Sequence, residues 1–305
     1  MNWDRVERLI GTDNLARLAQ KRVAVVGLGS GGGLVALSLA MSGVGHFVLV
    51  DDDTLEETNL VRHVADRRYL GQPKAAAVAD LIRHRSPQAQ VEVRVGRVEQ
   101  HLDALDGVDL LVAAVDGENS KYAINQTALA RGLTAVYAGV YERGEGGDAV
   151  VIHPYDGPCY ACWAAELREE VAAGRPDTGA GLDYGMIGPQ GTLEAEPGLW
   201  LHVMRVAGVQ AHLALNELLK GTDVYEPMPG NTVILANNAL EIITGQITPP
   251  HSAVWADIRR NPACLVCGDE LRARAALAAD DAGGQVSLAQ LMDMLGASPQ
   301  EEDED

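Results

Sequence analysis

The 305-residue chain is 47% hydrophobic, enough to bury a full α/β core as one large domain or two small ones. Aromatics make up only 4%, so that core must be built from Val, Leu, Ala and Ile. The formal charge of −19, part of it in the terminal run Glu301-Glu302-Asp303-Glu304-Asp305, argues against a polyanion such as DNA or tRNA as the main partner.

The N-terminal MNWDRVERL is too charged for a signal peptide, and no later stretch is long and apolar enough to span a membrane. A cytoplasmic location is therefore expected. Residues 4–20 have helical spacing of Val6, Leu9, Ile10, Leu15 and Leu18, broken by Gly11. A strand at 22–26 runs into Gly27-Leu28-Gly29-Ser30-Gly31-Gly32 and then into a helix at about 31–42. Such a turn aims unpaired backbone N–H groups and the positive end of a helix dipole at one point, which suits a phosphate. Glycine turns of this spacing serve NAD, FAD and ATP alike.

Phe47 to Val50 reads as the second strand, ending at Asp51. Pro73 suits a helix start, with the helix running to about Arg85. Val91–Val95 reads as a short strand, and Leu110–Val115 as a buried strand ending at Asp116. A helix at about 119–131 and a strand from Thr134 to Val140 follow. Alternating helices and near-continuous apolar strands predict a Rossmann-like, mostly parallel sheet covered on both faces.

After Gly144 the pattern changes. Ala149–His153 reads as a strand, 168–198 as a long loop or crossing segment, and 199–219 as a helix. Strands around 232–236 and 239–247, joined by an Asn237-Asn238 turn, would extend the sheet in antiparallel fashion. Residues 1–268 are expected to form the main domain, and 269–305 a short helical appendix with an acidic tail.

All four cysteines fall in two C-x-x-C pairs, Cys159/Cys162 and Cys264/Cys267. In a reducing compartment such pairs point to a tetrahedral, structural zinc rather than to disulfides, the alternative being two unrelated thiol pairs. Neither pair is expected to open a helix after a strand, which disfavours a dithiol redox motif.

Further features sit where the carboxyl ends of parallel strands gather, the usual ligand crevice of such sheets. Asp51 is placed as a ribose-binding acid would be, or as a turn residue. Asn59, Arg62 and His63 follow, then Lys74 in Gly-Gln-Pro-Lys, then Asp116. A dinucleotide oxidoreductase needs few cations at its pyrophosphate. Attack on the α-phosphate of ATP needs several, and a carboxylate for magnesium, and Arg62, Lys74 and Asp116 supply them.

The ordered set GLGSGGG, LVDDDTLEETNLVRH, GQPK, AAVD, CYAC and CLVC resembles the ThiF/MoeB/HesA superfamily, bacterial relatives of ubiquitin-activating enzymes, over about residues 4–268. The resemblance implies an enzyme that binds MgATP and adenylates the C-terminal glycine carboxylate of a small ubiquitin-fold or sulfur-carrier protein. It implies that Gly27, Gly29 and Gly32 hold phosphates and Asp51 the ribose. Asn59, Arg62 and Lys74 would contact the triphosphate, and Asp116 would be the magnesium-associated aspartate. Arg5 and Arg8 match an N-terminal Arg-x-x-Arg, of which Arg8 would enter the active site of a second subunit, so a homodimer is implied.

Two positions depart from the family pattern: His63 replaces a usual Gln, and Lys121 stands where relatives often have Arg. With every cysteine in a zinc pair, none remains to take the carrier as a thioester, so the acyl-adenylate would pass to a cysteine-bearing partner, a persulfide donor or an amine. The competing readings are an enzyme adenylating a carboxylate of modified tRNA, a non-catalytic scaffold that binds a ubiquitin-like protein, and a plain NAD oxidoreductase.

Overall fold

The computed structural model describes residues 2–173, 198–243 and 246–272. The expected crossing segment therefore lies largely, and the appendix and acidic tail almost wholly, outside the described residues. Two short helices, α1 (Asp4–Ile10) and α2 (Thr12–Gln20), meet at Gly11, whose φ of 83° makes the break. The chain then alternates through β1 (Arg22–Val26), α3 (Ser30–Met41), β2 (His46–Asp51), α4 (Lys74–Arg85), β3 (Gln90–Val95), β4 (Leu110–Ala113), α5 (Glu118–Arg131) and β5 (Ala135–Val140). There follow β6 (Gly146–Ile152), α6 (Tyr160–Ala173), α7 (Trp200–Leu218), β7 (Thr232–Ala236), β8 (Leu240–Ile243), β9 (Gln246–Thr248) and β10 (Ser252–Ala256).

Eight strands form one sheet in the order β3-β2-β1-β4-β5-β6-β7-β10. The pairs from β3 to β5 are parallel, and those from β5 to β10 antiparallel. The expected mixed α/β sheet is thus present. Strand order reverses between β1 and β4, which opens a crevice at their carboxyl ends. The register makes that edge even, because Val26 stands opposite both Val50 and Ala113.

Alternation along β1 sends Val23 and Val25 to one apolar layer and Ala24 and Val26 to the other. The first layer packs under α3, α4 and α7, and the second under α6 through Tyr160 and Trp163. Each fully buried Val or Leu contributes about 1.5–3 kcal/mol, so these two layers supply most of the driving force. Among the described residues no helix is long and apolar enough to cross a membrane.

Two expectations are corrected. Residues 232–236 and 239–247 do not form a hairpin: β7 lies between β6 and β10, and β8 pairs with β9 in a separate ribbon. The Asn237-Asn238 pair instead anchors both of its N–H groups on the Glu145 carbonyl. The first cysteine pair does open a helix after a strand, since α6 begins at Tyr160. β10 is an additional edge strand.

Candidate active site

Three glycines of the turn have distinct physical reasons. Gly27 has φ of 86°, and a Cβ there would lie 2.5 Å from the Ala114 carbonyl oxygen. A Cβ on Gly32 would come within 1.8 Å of the Gly27 oxygen, so this glycine lets α3 close on the strand end. Gly29, directly ahead of α3, has nothing within 4 Å of the position a Cβ would take. The turn is therefore tight at Gly27, packed at Gly32 and open at Gly29. Of these three, the open one leaves room among the described residues for a ligand against the backbone at the helix N-terminus.

The turn is held by side chains from its neighbours. Asp51, at the end of β2, accepts the Leu28 N–H at 2.6 Å on Oδ2 and the Asp53 N–H at 2.9 Å on Oδ1. Burial raises its carboxyl above the ordinary aspartate value, against the pull of those two hydrogen bonds and of the Lys74 charge. Each Asp51 oxygen keeps a second acceptor position for a ligand hydroxyl.

His63 lies 2.7 Å from the Leu28 carbonyl through Nε2, and its Nδ1 accepts the Ala65 N–H at 3.0 Å. Because Nδ1 accepts, Nε2 carries the proton and donates to Leu28. Burial is the main cause that lowers its pKa, with the Lys74 charge adding to it, so the ring is neutral at pH 7. Sequence reasoning treated His63 as a polar substitute. No spacing rule pairs it with a residue 35 positions earlier.

Lys74 opens α4, is largely buried, and places Nζ 2.6 Å from Asp53 Oδ2. Its backbone N–H also donates to the Asp53 carbonyl at 2.9 Å, and the Asp53 N–H donates to Asp51, so Lys74 stands beside the carboxylate that holds the turn. Asn59 and Arg62 occupy a 3₁₀ helix, Glu57–Arg62, and Arg62 is half-buried. The Asn59 Oδ1 accepts the Glu56 N–H at 3.0 Å as part of a capping box, leaving its amide free to donate. Asp116 is exposed, just past the end of β4, across the crevice from Asp51. Lys121, on α5, is buried and donates to Glu118 at 3.0 Å.

Arg8 is not brought to this crevice. It sits on α1, 78% exposed and, among the described residues, paired with Asp4, while α1 itself buries no residue. Arg5 is likewise exposed.

The four cysteines, 105 residues apart in pairs, converge so that all sulfurs lie within 4.8 Å of one another. Sγ separations are 3.8 Å for Cys159–Cys162, 3.8 Å for Cys159–Cys264 and 3.5 Å for Cys162–Cys267. Zn–S bonds of about 2.3 Å in a tetrahedron require sulfurs about 3.8 Å apart, so the cluster can hold zinc with little movement. The Val266 N–H points at Cys264 Sγ at 3.4 Å, and a Cβ on Gly268 would strike the Cys264 oxygen. The hydrogen bond between the Cys267 and Cys159 thiols draws Cys159 down and holds Cys267 up, so the two sulfurs share a proton that a bound cation would displace. Four mutually facing sulfurs, rather than helix position, distinguish this cluster from a dithiol redox pair.

A model of the ThiF family matches residues 4–255. The chain belongs to the ThiF family. It is 32% identical over 264 residues to the SAMP-activating enzyme E1 of Haloferax volcanii, covering 85% of each chain. It is 31% identical over 268 residues to the sulfur carrier protein adenylyltransferase of Thermus thermophilus, covering 86% of this chain and 87% of that one. Among solved structures, E. coli MccB with succinimide superposes with a TM-score of 0.62 at 17% identity, over 84% of this chain and 69% of MccB. That likeness confirms the fold alone. ThiF membership was legible in the ordered motifs from the glycine turn to the second cysteine pair.

Proposed function

We propose that this ThiF-family chain is an adenylyltransferase that uses MgATP to activate the C-terminal glycine carboxylate of a small ubiquitin-fold or sulfur-carrier protein. The observation that carries the reading is the crevice at the β1/β4 switch point. There Gly29 opens the N-terminus of α3, Asp51 keeps acceptor positions, and Lys74 stands alongside as a largely buried cation. The names of the two relatives, an activating enzyme and an adenylyltransferase, support the same chemistry.

On this reading the carrier carboxylate attacks the α-phosphorus of ATP, a new P–O bond forms, and the bond to pyrophosphate breaks. The nucleophile is already ionised, so no general base is needed. Positive groups must offset the repulsion of two anions as they meet. Arg62 and Lys74 would do this beside the turn, Asn59 would donate to the triphosphate, and Asp116 would hold magnesium, which supplies further charge neutralisation. Asp51 would take the ribose. Gly29 would face the phosphates, with Gly27 and Gly32 shaping the turn. Arg8, remote from its own crevice, would complete the site of a second copy in a homodimer.

Cys159, Cys162, Cys264 and Cys267 would hold a structural zinc. As these are all the cysteines of the sequence, no thiol is left for a thioester, and the acyl-adenylate would go to a separate nucleophile. The test is ATP–pyrophosphate exchange with glycine-tailed carriers. Exchange that needs magnesium and the terminal glycine is expected. No exchange with any such carrier, from protein that binds them, would replace this reading with that of a scaffold.

A further inference from the structure

Tyr160 lies between Cys159 and Cys162, and it touches α5 at two levels. Its backbone N–H donates to Asn125 Oδ1 at 2.9 Å, and its hydroxyl donates to Glu118 Oε2 at 3.1 Å. Glu118 opens α5 two residues after Asp116 and also accepts from Lys121. Glu118, Lys121, Tyr122 and Asn125 fall at i, i+3, i+4 and i+7, one stripe of the helix. Tyr160 is 1% exposed, stacked on Tyr137 at 4.7 Å and edge-on to Tyr122 at 5.6 Å. A residue bracketed by two sulfur ligands thus fixes the first two turns of the helix that carries on from Asp116.

We propose that Tyr160 is a positioning residue that couples the four-cysteine centre to the Asp116 turn, so that metal at one and nucleotide at the other stabilise each other. The proposal rests on the reading of the crevice as a nucleotide site. Zinc would fix the spacing of Cys159 and Cys162, hence the place of Tyr160, and through Glu118 the start of α5. Such coupling is reciprocal in affinity: if zinc favours nucleotide binding, nucleotide must tighten zinc binding by the same factor.

The experiment measures the zinc affinity of the full chain by equilibrium competition with a chromophoric chelator, with and without saturating MgATP, and titrates MgATP binding separately by calorimetry. Wild type is expected to bind zinc about five-fold or more tightly with MgATP, the lower bound of usual site coupling. Tyr160→Phe keeps the ring stack but loses the hydrogen bond to Glu118. It should bind a full complement of zinc and show the same zinc affinity with and without MgATP. Glu118→Ala deletes the same bond from its half-exposed end and carries the test should Tyr160→Phe fail to fold. Retention of the wild-type tightening in either folded variant overturns the coupling. Wild type that binds MgATP without any gain in zinc affinity overturns it too, and leaves the nucleotide reading standing. Absence of MgATP binding would bring down both.

Discussion

Asp51 and His63 hold the two sides of one residue: the first takes the Leu28 N–H at 2.6 Å and the second donates to the Leu28 carbonyl at 2.7 Å. The residue between the first two glycines of the turn is thereby clamped, although β2 and the segment after Arg62 supply the two jaws. His63→Ala should lose two buried hydrogen bonds and leave a void, costing about 2–4 kcal/mol in denaturant unfolding. His63→Gln can accept from Ala65 and donate to Leu28, and should cost about 1 kcal/mol. Equal losses in the two variants would dismiss the clamp. The pH dependence has a definite sign. With its pKa lowered by burial, His63 contributes stability that is whole above about pH 6.5 and is lost as pH falls through the depressed folded value. Asp51, raised by burial, titrates in the opposite sense, so the comparison is with His63→Gln, in which Asp51 is unaltered. Between about pH 7.5 and about pH 5 the wild type should lose more stability than that variant.

Gly29 and Gly32 should separate binding from folding. Gly29→Ala has space for its Cβ, so its melting temperature should stay near wild type while ATP affinity falls, read by calorimetry. Gly32→Ala forces a carbon onto the Gly27 oxygen and should give insoluble or strongly destabilised protein. A Gly29→Ala protein with undiminished ATP affinity would remove that turn from the nucleotide site.

Lys74→Met keeps the apolar stem and deletes the charge. Asp53 is 65% exposed on its side chain and tolerates the loss of its partner, so the variant should fold. Adenylate formation should drop about 100-fold or more, as when one preorganised donor to developing charge is removed. Rates within about three-fold of wild type would reassign Lys74 to an ion pair that organises the Asp53 turn.

Chelation of metal should lower the melting temperature, since an ion bound only by the native state stabilises it in proportion to its binding. Cys264→Ser should retain less zinc and melt lower than wild type. An unchanged melting curve after demetallation, confirmed by elemental analysis, would leave the cysteines as packed thiols.

The βα alternation was legible because apolar runs, a glycine turn and Pro73 all pointed the same way. Where local signals were weak or the pairing was distant, it was not. The first C-x-x-C was not expected to open a helix, yet Asn125, 35 residues earlier, fixes the start of α6 on Tyr160. Ser252–Ala256 has neither length nor a buried face, and owes its strand form to pairing with β7. The apparent hairpin at 232–247 failed because β7 finds better partners on both sides from distant sequence. At the crevice, Asp51 and Lys74 were placed by motif order. The His63–Leu28 and Lys74–Asp53 contacts were invisible, because no periodicity links residues that meet only once the sheet has formed.

The gathering of every cysteine sulfur at one centre has a kinetic consequence. On the proposed chemistry the chain makes a mixed anhydride that water can destroy and has no means of storing it in a sturdier form. Its useful output then depends on how long the closed complex outlasts hydrolysis and how soon an acceptor arrives. Without that acceptor, steady turnover would measure only leakage.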